Sequence, residues 1–497
     1  MSATLQFGNG KSSTIQTGLY INGKFQPGAE GKTFAVVNPA NGKEICQVSE
    51  ASAKDVDAAV KVARETYDNK WGEKVSGRER GKMLIRLAEL IEENADELAA
   101  IESLDNGKAF SIARSFDIPE AAANFRYYGG WADKVHGKTI EVVDSKFCYT
   151  RHEPIGVCGQ IIPWNFPFLM MAWKIAPALA TGNVVVLKTA EQTPLSALKF
   201  AELIEKAGVP PGVINIVQGF GPTAGAAIAN HMDIDKVAFT GSTLVGRNIL
   251  KAAASSNLKK TTLELGGKSP NIIMNDANID DAVAWSCFGI NFNHGQCCCA
   301  GSRVYVQAGI YDEFEKKLLA KYKSINVGDP FKQDTFQGPQ VSQLQYDRIM
   351  AMIESGKQEG GKILTGGERH GKEGYFIEPT IFTGVNHDAK IAREEIFGPV
   401  LVLQKFEDEA ELMKIANDSI YGLAAAVFSR DISKAIQTAH ALKAGTVWVN
   451  CYNQLHPNVP FGGYKASGIG RELGEYALSN YTNIKAVHVN LSEPAPM

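Results

Sequence analysis

Three consecutive cysteines, Cys297, Cys298 and Cys299, are the residues of this sequence most suited to chemistry. A metal site is not expected, because consecutive thiolates project in different directions and cannot close a tetrahedron. Adjacent cysteines also form only strained disulfides. A buried cysteine is often just a small hydrophobic residue of the core. Here glycine and polar residues flank the run, which favours a turn in which one sulfur faces a cleft.

A second candidate group is the carboxylate of Glu264, which stands between Leu263 and Leu265 in a sequence typical of a strand. A buried carboxylate is costly unless a cation pairs with it or its pKa rises. A carboxylate with a raised pKa is suited to act as a general base. The residues alone leave both alternatives open for Glu264, a general base and a buried salt bridge.

Asn165 lies between two prolines in the segment Pro163-Trp164-Asn165-Phe166-Pro167, which directly follows an apolar run. Proline restricts the backbone on both sides, so the segment is predicted to be a turn at the end of a strand. In acyl chemistry, the amide of Asn165 could donate a hydrogen bond to a developing oxyanion. The alternative is a turn without a chemical role.

A glycine-rich turn follows the strand-like run VINIV, with the pattern Gly219-x-Gly221-x-x-Ala224-Gly225. The pattern resembles the dinucleotide fingerprint, in which glycines let the backbone approach a pyrophosphate at a helix N-terminus. The acid that the fingerprint places about 20 residues later is missing. The next strand ends instead in a second glycine turn, residues 241–246. Each turn alone could be a tight strand-to-helix connection, but two at successive strand ends indicate a ligand-binding edge.

Lys188 and Glu191 follow the apolar run 184–187 and are predicted to lie at the same edge. In an open parallel sheet, ligands bind at the carboxyl ends of the strands. A cation and a carboxylate there could hold an adenosine ribose through its hydroxyls. The alternative for both residues is a solvated strand end.

The elements that hold these groups are predicted from short apolar runs that alternate with helical stretches. After residue 155, strands are predicted at 157–162, 184–187, 213–217 and 237–239, and helices at 168–180, 195–207, 222–231 and 243–254. This order indicates an α/β fold with a parallel sheet and right-handed crossovers. After a boundary near Gly266-Gly267, a second α/β alternation has strands near 271–274, 304–306, 424–428 and 446–450.

Two further segments have predicted structure without assigned chemistry. Residues 78–104 carry apolar residues at three- and four-residue steps, which predicts one amphipathic surface helix. Residues 481–490 alternate apolar and polar side chains, which predicts a half-buried strand. That strand has no evident place in either α/β unit, so it is expected to pair with another segment or subunit.

Length and charge exclude several classes of protein. The 497 residues suffice for two or three domains, and the net charge of −3 comes from interspersed charges. The sequence has no basic stripe of the kind that binds nucleic acid. It also has no basic amphipathic segment of the kind that binds a membrane surface. No apolar run approaches the roughly 18 residues of a membrane-spanning helix. Eight cysteines without a CxxC pair, and an N-terminus without a secretory core or any arginine before Arg64, fit the cytoplasm best.

Six motifs along the chain point to one family. Together they resemble the aldehyde dehydrogenase superfamily over nearly the whole chain, and its NAD-preferring, hydrolytic branch most closely. The motifs are PWNFP (163–167), FTGST (239–243), LELGGKSP (263–270), GQCC (295–298), EEIFGPV (394–400) and PFGGYKASGIGRELG (460–474).

The resemblance implies a role for each residue of the predicted site. Cys298 is the implied nucleophile, Glu264 the general base and Asn165 the oxyanion donor, and no metal is implied. The implied cofactor-binding residues are Trp164, Lys188, Glu191, Gly221, Gly225, Gly241, Ser242, Gly246, Glu395 and Phe397. The implied substrate-binding residues are Phe166, Met170, Trp173, Phe292, Cys297, Leu455 and Phe461.

The resemblance also implies an architecture and partners. A Rossmann-like NAD-binding domain would comprise 4–135 and 155–266, an α/β catalytic domain 267–466, and a small β oligomerisation arm 136–154 and 481–497. The implied cofactor is NAD, with NADP as a weaker alternative. The implied reaction takes a small aliphatic or aromatic aldehyde to its acid through a thiohemiacetal and a thioester on Cys298. The expected assembly is a homotetramer, a dimer of dimers.

Two other function classes explain part of the pattern. A Cys–Glu–Lys hydrolase of the nitrilase kind would use Cys298 and Glu264 without a cofactor, but it leaves both glycine turns unexplained. A structural role, known among relatives of the family, would not require Cys298, Glu264 and Asn165 together. Within the family, relatives that acylate coenzyme A lack the glutamate, so Glu264 favours a free acid as product.

Overall fold

The computed structural model describes residues 1–495, so the last two residues of the predicted arm lie outside the described residues. The strands are, in chain order, β1 Ser2–Gln6, β2 Ser12–Gln16, β3 Leu19–Ile21, β4 Lys24–Gln26, β5 Thr33–Asn38, β6 Lys43–Ser49, β7 Thr139–Ile140, β8 Lys146–Pro154, β9 Val157–Ile161, β10 Val184–Lys188, β11 Ile214–Val217, β12 Lys236–Thr240, β13 Lys260–Glu264, β14 Pro270–Ile273, β15 Arg303–Gln307, β16 Lys362–Thr365, β17 Thr380–Thr383, β18 Val400–Phe406, β19 Ala424–Phe428, β20 Thr446–Val449, β21 Gly468–Ile469 and β22 Thr482–Asn490.

The helices connect these strands and cover the faces of the two large sheets. In chain order they are α1 Ala53–Asn69, α2 Gly77–Glu93, α3 Ala95–Asn106, α4 Phe110–Ile112, α5 Ile118–Trp131, α6 Pro167–Ala180, α7 Leu195–Ile204, α8 Ala226–Asn230, α9 Thr243–Ser255, α10 Ile279–Asn291, α11 Tyr311–Lys323, α12 Gln343–Gln358, α13 Lys390–Arg393, α14 Glu409–Asn417 and α15 Ile432–Ala441. Single π-helical turns occur at Ala113–Asp117 and Gly221–Gly225.

The first large sheet has eight strands in the order β21-β13-β12-β9-β10-β11-β3-β4. Its five central strands, from β13 to β11, run parallel, and the strands at both edges are antiparallel. β9, β10 and β11 are buried throughout, which suits their apolar sequences because helices cover both faces. The predicted strands of this unit all form, with bounds within one residue.

The second large sheet has seven strands in the order β16-β17-β18-β15-β14-β19-β20, all parallel except β16. The chain passes from the first sheet to the second between Glu264 and Pro270. The four predicted strands of this unit correspond to β14, β15, β19 and β20. The predicted α/β class with two alternating units is therefore confirmed.

The structure corrects the helix predicted over 78–104. That segment forms two helices, α2 and α3, separated by Asn94. The Asn94 side chain donates to the carbonyl of Leu90 at 2.7 Å, so its amide competes with the helix backbone and the helix ends. α3 is not a surface helix either. Every residue from Leu98 to Asn106 is buried, because α7, β5 and the π-helical turn pack around it.

The predicted terminal strand forms as β22, which pairs antiparallel with β8 over nine residues in a three-stranded sheet with β7. The pairing of this strand with another segment is confirmed. Its predicted half-burial is not seen within this single chain, where most side chains from Asn483 to Asn490 are exposed. Within residues 1–495, no helix has the length and apolar character to cross a membrane.

Candidate active site

A cavity of about 760 Å³ lies at the carboxyl ends of β9 to β13 and is closed on its other side by loops of the second α/β unit. It brings together all predicted site residues except Gly246. These residues are Cys298, Glu264, Asn165, Trp164, Lys188, Glu191, Gly221, Gly225, Gly241, Ser242, Glu395, Phe397, Phe166, Met170, Trp173, Phe292, Cys297, Leu455 and Phe461.

Gly246 lies inside α9 and does not line the cavity. A Cβ at this position would stand 2.5 Å from the Leu265 side chain. The absence of a side chain at Gly246 therefore allows α9 to pack closely on the segment that follows β13.

The three cysteines lie on a strained loop that follows α10. Between the helix and the cysteines, Asn293 and His294 have φ angles of 50° and 62°, and Gly295 continues with 72°. The left-handed region is costly for residues with a Cβ, so the surrounding structure must impose it. Strain of this kind concentrates at functional sites.

Exposure distinguishes the members of the cysteine triplet. Cys298 is partly exposed, whereas Cys297 and Cys299 are buried with their sulfurs 3.4 Å apart. Contact with the Cys297 thiol raises the pKa of Cys298, and so do burial and the nearby Glu264 carboxyl. Among these three residues, Cys298 is the thiol that a small molecule in the cavity can reach most readily.

Asn165 connects the turn after β9 to the cysteine loop. Its side-chain Nδ2 donates to the carbonyl of Gln296 at 2.9 Å, and its own carbonyl accepts from Asn293 Nδ2 at 2.9 Å. The side chain is buried. An amide nitrogen carries two hydrogens, so one remains for a further acceptor.

Glu264 ends β13 and lies buried at the cavity wall. Within residues 1–495, no cation lies at salt-bridge distance, and Oε2 has no hydrogen-bond partner. Burial raises the pKa of Glu264 well above its usual range, and Glu472 adds to the effect while Lys174 and Arg471 oppose it. The alternative of a direct salt bridge is therefore wrong for the described residues, and Glu264 is a buried carboxyl with a raised pKa.

Lys174 and Glu472 form a buried ion pair at 2.6 Å beside Glu264, and the residue patterns did not reveal it. Lys174 lies within α6, and Glu472 lies in the motif 460–474. The two residues are 298 positions apart, so no local pattern links them. A charged residue in the apolar helix α6 was the signal that could have found the pair.

The cofactor end of the cavity contains Lys188 and Glu191. The Lys188 side chain is 3% exposed, and its Nζ lies 3.7 Å from Glu191 and 2.7 Å from the carbonyl of Thr189. Burial lowers the pKa of Lys188, and Glu191 opposes this. The solvated strand end considered for Lys188 is wrong, since this lysine is enclosed. The Glu191 side chain is one-third exposed, at 33%.

Glu395, Phe397 and Trp164 lie between the sheet edge and the cysteine loop. Glu395 Oε1 accepts from the backbone N–H of Gly267 at 2.9 Å, and burial raises the pKa of Glu395 to about 7. The rings of Trp164 and Phe397 meet edge to face with centroids 5.2 Å apart. Phe397 has a φ of 60°, a further strained residue at the cavity.

The opposite end of the cavity is aromatic. Phe292 contacts Phe166, with centroids 5.9 Å apart, and Phe116 edge to face at 5.3 Å. Trp173 meets Phe461 at 5.6 Å. Phe116 lines the cavity but was not predicted, because it lies at the π-helical turn Ala113–Asp117, far from every motif.

The sequence and the structure of this chain were compared with those of known proteins. The model of the aldehyde dehydrogenase family matches residues 25–487, nearly the whole chain. The chain belongs to the aldehyde dehydrogenase family. An aldehyde dehydrogenase of Emericella nidulans is 62% identical over 96% of this chain and 95% of its own length.

Other aldehyde dehydrogenases support the same membership. The human protein named as the mitochondrial aldehyde dehydrogenase is 57% identical over 96% of this chain and 92% of its own length. A solved aldehyde dehydrogenase of Bacillus cereus, described as an NAD+ complex, superposes with a TM-score of 0.95 at 50% identity, and the match covers 96% of this chain and 97% of that one. The predicted family and fold are confirmed.

Proposed function

We propose that this aldehyde dehydrogenase oxidises small aliphatic or aromatic aldehydes to carboxylic acids with NAD+. The observation that carries the proposal is the shared cavity. In it, the partly exposed Cys298, the unpaired Glu264 and the Asn165 amide lie beside glycine turns at the carboxyl edge of a parallel sheet. Ligands bind at this edge in open α/β sheets.

The residues at the sheet edge fit NAD+. Gly221 lines the cavity, and no atom lies within 4 Å of the position that its Cβ would take, so its backbone is open to a pyrophosphate. Glu191 would accept from the adenosine ribose hydroxyls, and Glu395 from the nicotinamide ribose. The similar Bacillus cereus enzyme is described as an NAD+ complex. When bound, NAD+ supplies the acceptor for the hydride that the aldehyde carbon loses.

Cys298 begins the reaction. Its thiolate adds to the aldehyde carbonyl to give a thiohemiacetal, and the Asn165 amide and the Cys298 backbone N–H hold the oxyanion. One such donor typically contributes about 10²–10³ in rate. Loss of hydride from the tetrahedral carbon leaves a thioester on Cys298. A free thiol is mostly protonated at neutral pH, so a base or positive potential must ionise it.

Glu264 ends the reaction. In its ionised form, the buried carboxylate would take a proton from water as that water attacks the thioester carbonyl. The C–S bond then breaks, which releases the acid and returns the Cys298 thiolate. A carboxylate with an ordinary pKa is a weak base, and burial raises the pKa of Glu264, which strengthens the carboxylate as a base once it is ionised. The product is then a free acid rather than an acyl group passed to another thiol.

The walls of the cavity support an uncharged substrate. The proposed tunnel residues Phe166, Met170, Trp173, Phe292 and Phe461 are apolar or aromatic and buried. Cys297 and Leu455 complete the set, which contains no carboxylate or guanidinium to pair with a charged substrate. Acetaldehyde or benzaldehyde should therefore be oxidised more efficiently than betaine aldehyde or an acidic semialdehyde.

A panel of aldehydes with NAD+ and NADP+ tests the proposal, with kcat/KM read from NADH or NADPH absorbance. We expect NADH with the uncharged aldehydes and a lower kcat/KM with NADP+. Efficient oxidation of a semialdehyde at the expense of acetaldehyde would contradict the tunnel assignment. Hydrolysis of a nitrile or amide without NADH from any aldehyde would favour the nitrilase-like alternative.

We also propose a function for each of three domains. Residues 4–135 and 155–266 would bind NAD, 267–466 would carry the catalytic loop, and 136–154 with the tail from 481 would join subunits into a homotetramer. The exposed sheet of β7, β8 and β22 supports the last assignment.

We propose a cytoplasmic location for the enzyme. The eight cysteines are all free, which fits a reducing compartment. The human relative is named as mitochondrial, so the matrix is the specific alternative. Fractionation of the source cells, with the enzyme and a mitochondrial matrix marker measured in each fraction, distinguishes the two locations. Co-sedimentation of the enzyme with the matrix marker would contradict the proposal.

A further inference from the structure

Behind the Asn165 turn lies a charged cluster whose side chains are fully buried. Lys108 is fully buried, and its Nζ lies 2.5 Å from Asp117 and 3.7 Å from Glu102, two carboxyls that are fully buried as well. Buried charges of this kind cost free energy, and apolar residues of similar volume often replace them without loss of stability. Fold stability alone therefore gives a weak reason for this cluster.

Lys108 also faces the turn that carries Asn165. Its Nζ lies 4.4 Å from the centroid of the Phe166 ring, within the range of a cation–π contact. Phe166 directly follows Asn165 and precedes the first turn of α6. A contact that fixes the Phe166 ring thus acts one peptide away from the proposed oxyanion donor.

Neighbouring residues of the same segment hold the turn at three further points. Asn106 Nδ2 donates to the carbonyl of Trp164 at 2.7 Å and to that of Asn165 at 3.4 Å. Glu102 Oε1 accepts from the backbone N–H of Phe168 at 3.3 Å. The turn from 164 to 168 is therefore held along its length by residues 102–108.

The charges of Lys108, Glu102 and Asp117 are also consistent with holding the turn in place. Burial raises the pKa of Glu102 to about 7, while Lys108 opposes the rise. Burial also raises the pKa of Asp117, and Lys108 opposes that rise too. Asp117 is the nearer of the two carboxyls, so it forms the closer ion pair with Lys108. The Lys108 ammonium is thus in contact both with Asp117 and with the Phe166 ring.

We propose that Lys108, anchored by Asp117 and Glu102, is a positioning residue that holds the Asn165 amide where the oxyanion forms. This inference rests on the proposed function, in which Asn165 donates to that oxyanion. Lys108 itself does not line the cavity, so it acts through the turn and not on substrate.

A double-mutant cycle tests the proposal, because two residues that act through one another are not additive. Lys108→Met should lower kcat at least tenfold and leave the Kd for NAD+ within twofold. In an Asn165→Ala background, the same substitution should lower kcat less than twofold further. Lys108→Arg, which keeps the charge, should recover part of the loss. An equal loss in both backgrounds, or a kcat within twofold of wild type for Lys108→Met, would overturn the proposal.

Lys236→Met is the matched control. Lys236 is also fully buried, with its Nζ 2.7 Å from Thr262 Oγ1 and 4.9 Å from the Tyr481 ring centroid, but it does not contact the turn. Its substitution should reproduce the cost of removing a buried lysine without the dependence on Asn165. Should Lys108→Met fail to fold, Lys108→Met combined with Asp117→Asn replaces it, since this pair removes the ammonium without leaving the Asp117 carboxylate charged and unpaired. The same dependence on Asn165 is expected, and an equal loss in both backgrounds would overturn the proposal.

Hydrogen–deuterium exchange gives a readout that does not depend on activity. A peptide covering residues 164–170 should exchange faster in Lys108→Met than in wild type, and at the wild-type rate in Lys236→Met. Unchanged exchange in Lys108→Met would overturn the positioning role. If the wild-type chain oxidised no aldehyde, the proposed function would fail, and the exchange data would still decide whether Lys108 holds the turn.

Discussion

At the scale of single residues, the candidate site consists of groups that the fold leaves partly unsatisfied. Cys298 keeps an open side while Cys297 and Cys299 are buried. Glu264 has an oxygen without a hydrogen-bond partner among the described residues. Asn165 uses one of its two amide hydrogens on Gln296. Each group therefore retains the capacity that the proposed chemistry requires.

The first prediction concerns the choice of thiol. Cys298→Ala should abolish dehydrogenase turnover and leave NAD+ affinity within a few-fold, because the thiol bonds substrate while the glycine turns face the cofactor. Cys297→Ala and Cys299→Ala are matched controls and should lose less than tenfold in kcat/KM, about 1.4 kcal/mol. Steady-state NADH formation and NAD+ titration measure both quantities. Complete loss of activity in Cys297→Ala would contradict the assignment of Cys298.

The second prediction concerns Glu264. Glu264→Gln is nearly isosteric but cannot take a proton, so hydrolysis of the thioester should lose about 10²–10⁴ in rate. We expect a burst of NADH approaching one per active site, followed by near arrest, with the acyl adduct on Cys298 seen by mass spectrometry. In wild type, a hydrolysis-limited kcat should rise with pH above the range where an ordinary glutamate is already ionised, since burial raises the pKa of Glu264. Turnover of the variant above about a tenth of the wild-type rate would place the base elsewhere.

At the scale of elements, the site depends on strands that end at one edge. β9, β10, β11, β12 and β13 are parallel neighbours, and the segment after each of them lines the cavity. Residues distant in sequence therefore meet without long loops. The two α/β units contribute differently, since the first supplies the edge and the second supplies the strained cysteine loop.

The third prediction concerns the preference for NAD+ over NADP+, which we assign to Glu191 after the end of β10. Glu191 should repel the 2′-phosphate of NADP+, while the buried Lys188 beside it partly offsets that repulsion. We expect a preference for NAD+ rather than exclusion of NADP+, and Glu191→Gln should raise kcat/KM with NADP+. The ratio of kcat/KM for the two cofactors, in wild type and variant, measures the effect. Equal values in the wild type, or no gain in the variant, would count against this role of Glu191.

The central strands of the two large sheets were predictable from the sequence, whereas the N-terminal strands and the break between α2 and α3 were not. Runs such as VVVL in β10 are buried on both faces, so they read as continuous apolar segments. No strand was predicted among the first six, of which β1 and β2 are rich in polar residues and β3 and β4 have only three residues each. The break at Asn94 depends on one side-chain hydrogen bond, which spacing does not reveal.

The candidate site was predictable where motifs carried it. Each of the six motifs contributes at least one residue to the cavity, and Gly246 alone among the predicted site residues does not line it. Lys174, Glu472 and Phe116 were missed because their partners are distant in sequence and become neighbours only in the folded chain. The roles of the site residues stay predictions until the variants are measured.

At the scale of the whole molecule, the sheet of β7, β8 and β22 leaves one long edge strand and many exposed side chains. Exposed apolar residues on it include Ile140, Phe147 and Ile484. Exposed edges and apolar patches of this kind mark association surfaces. The surface therefore supports assembly through the arm.

The fourth prediction is the assembly itself. The chain should form a homotetramer at micromolar concentration, measured by light scattering. Ile484→Lys, which adds a charge to the exposed arm strand, should shift the mass toward smaller species, whereas Leu344→Lys at an exposed site of α12 should not. A wild-type monomer under these conditions would refute the arm assignment.

The eight-stranded sheet also has a consequence for synthesis of the chain. Its strands from β3 to β13 are complete by residue 264, but the edge of β13 is covered only by β21 at Gly468–Ile469. A ribosome that adds about 5–20 residues per second needs roughly 10–40 seconds for the stretch between them. Throughout that interval the backbone groups of Leu263 and Glu264 face outward on every nascent chain. An open edge of this kind can pair with the same edge of a neighbouring nascent chain. We therefore expect the yield of folded enzyme to rise with chaperones that shield this edge until residue 469 is synthesised.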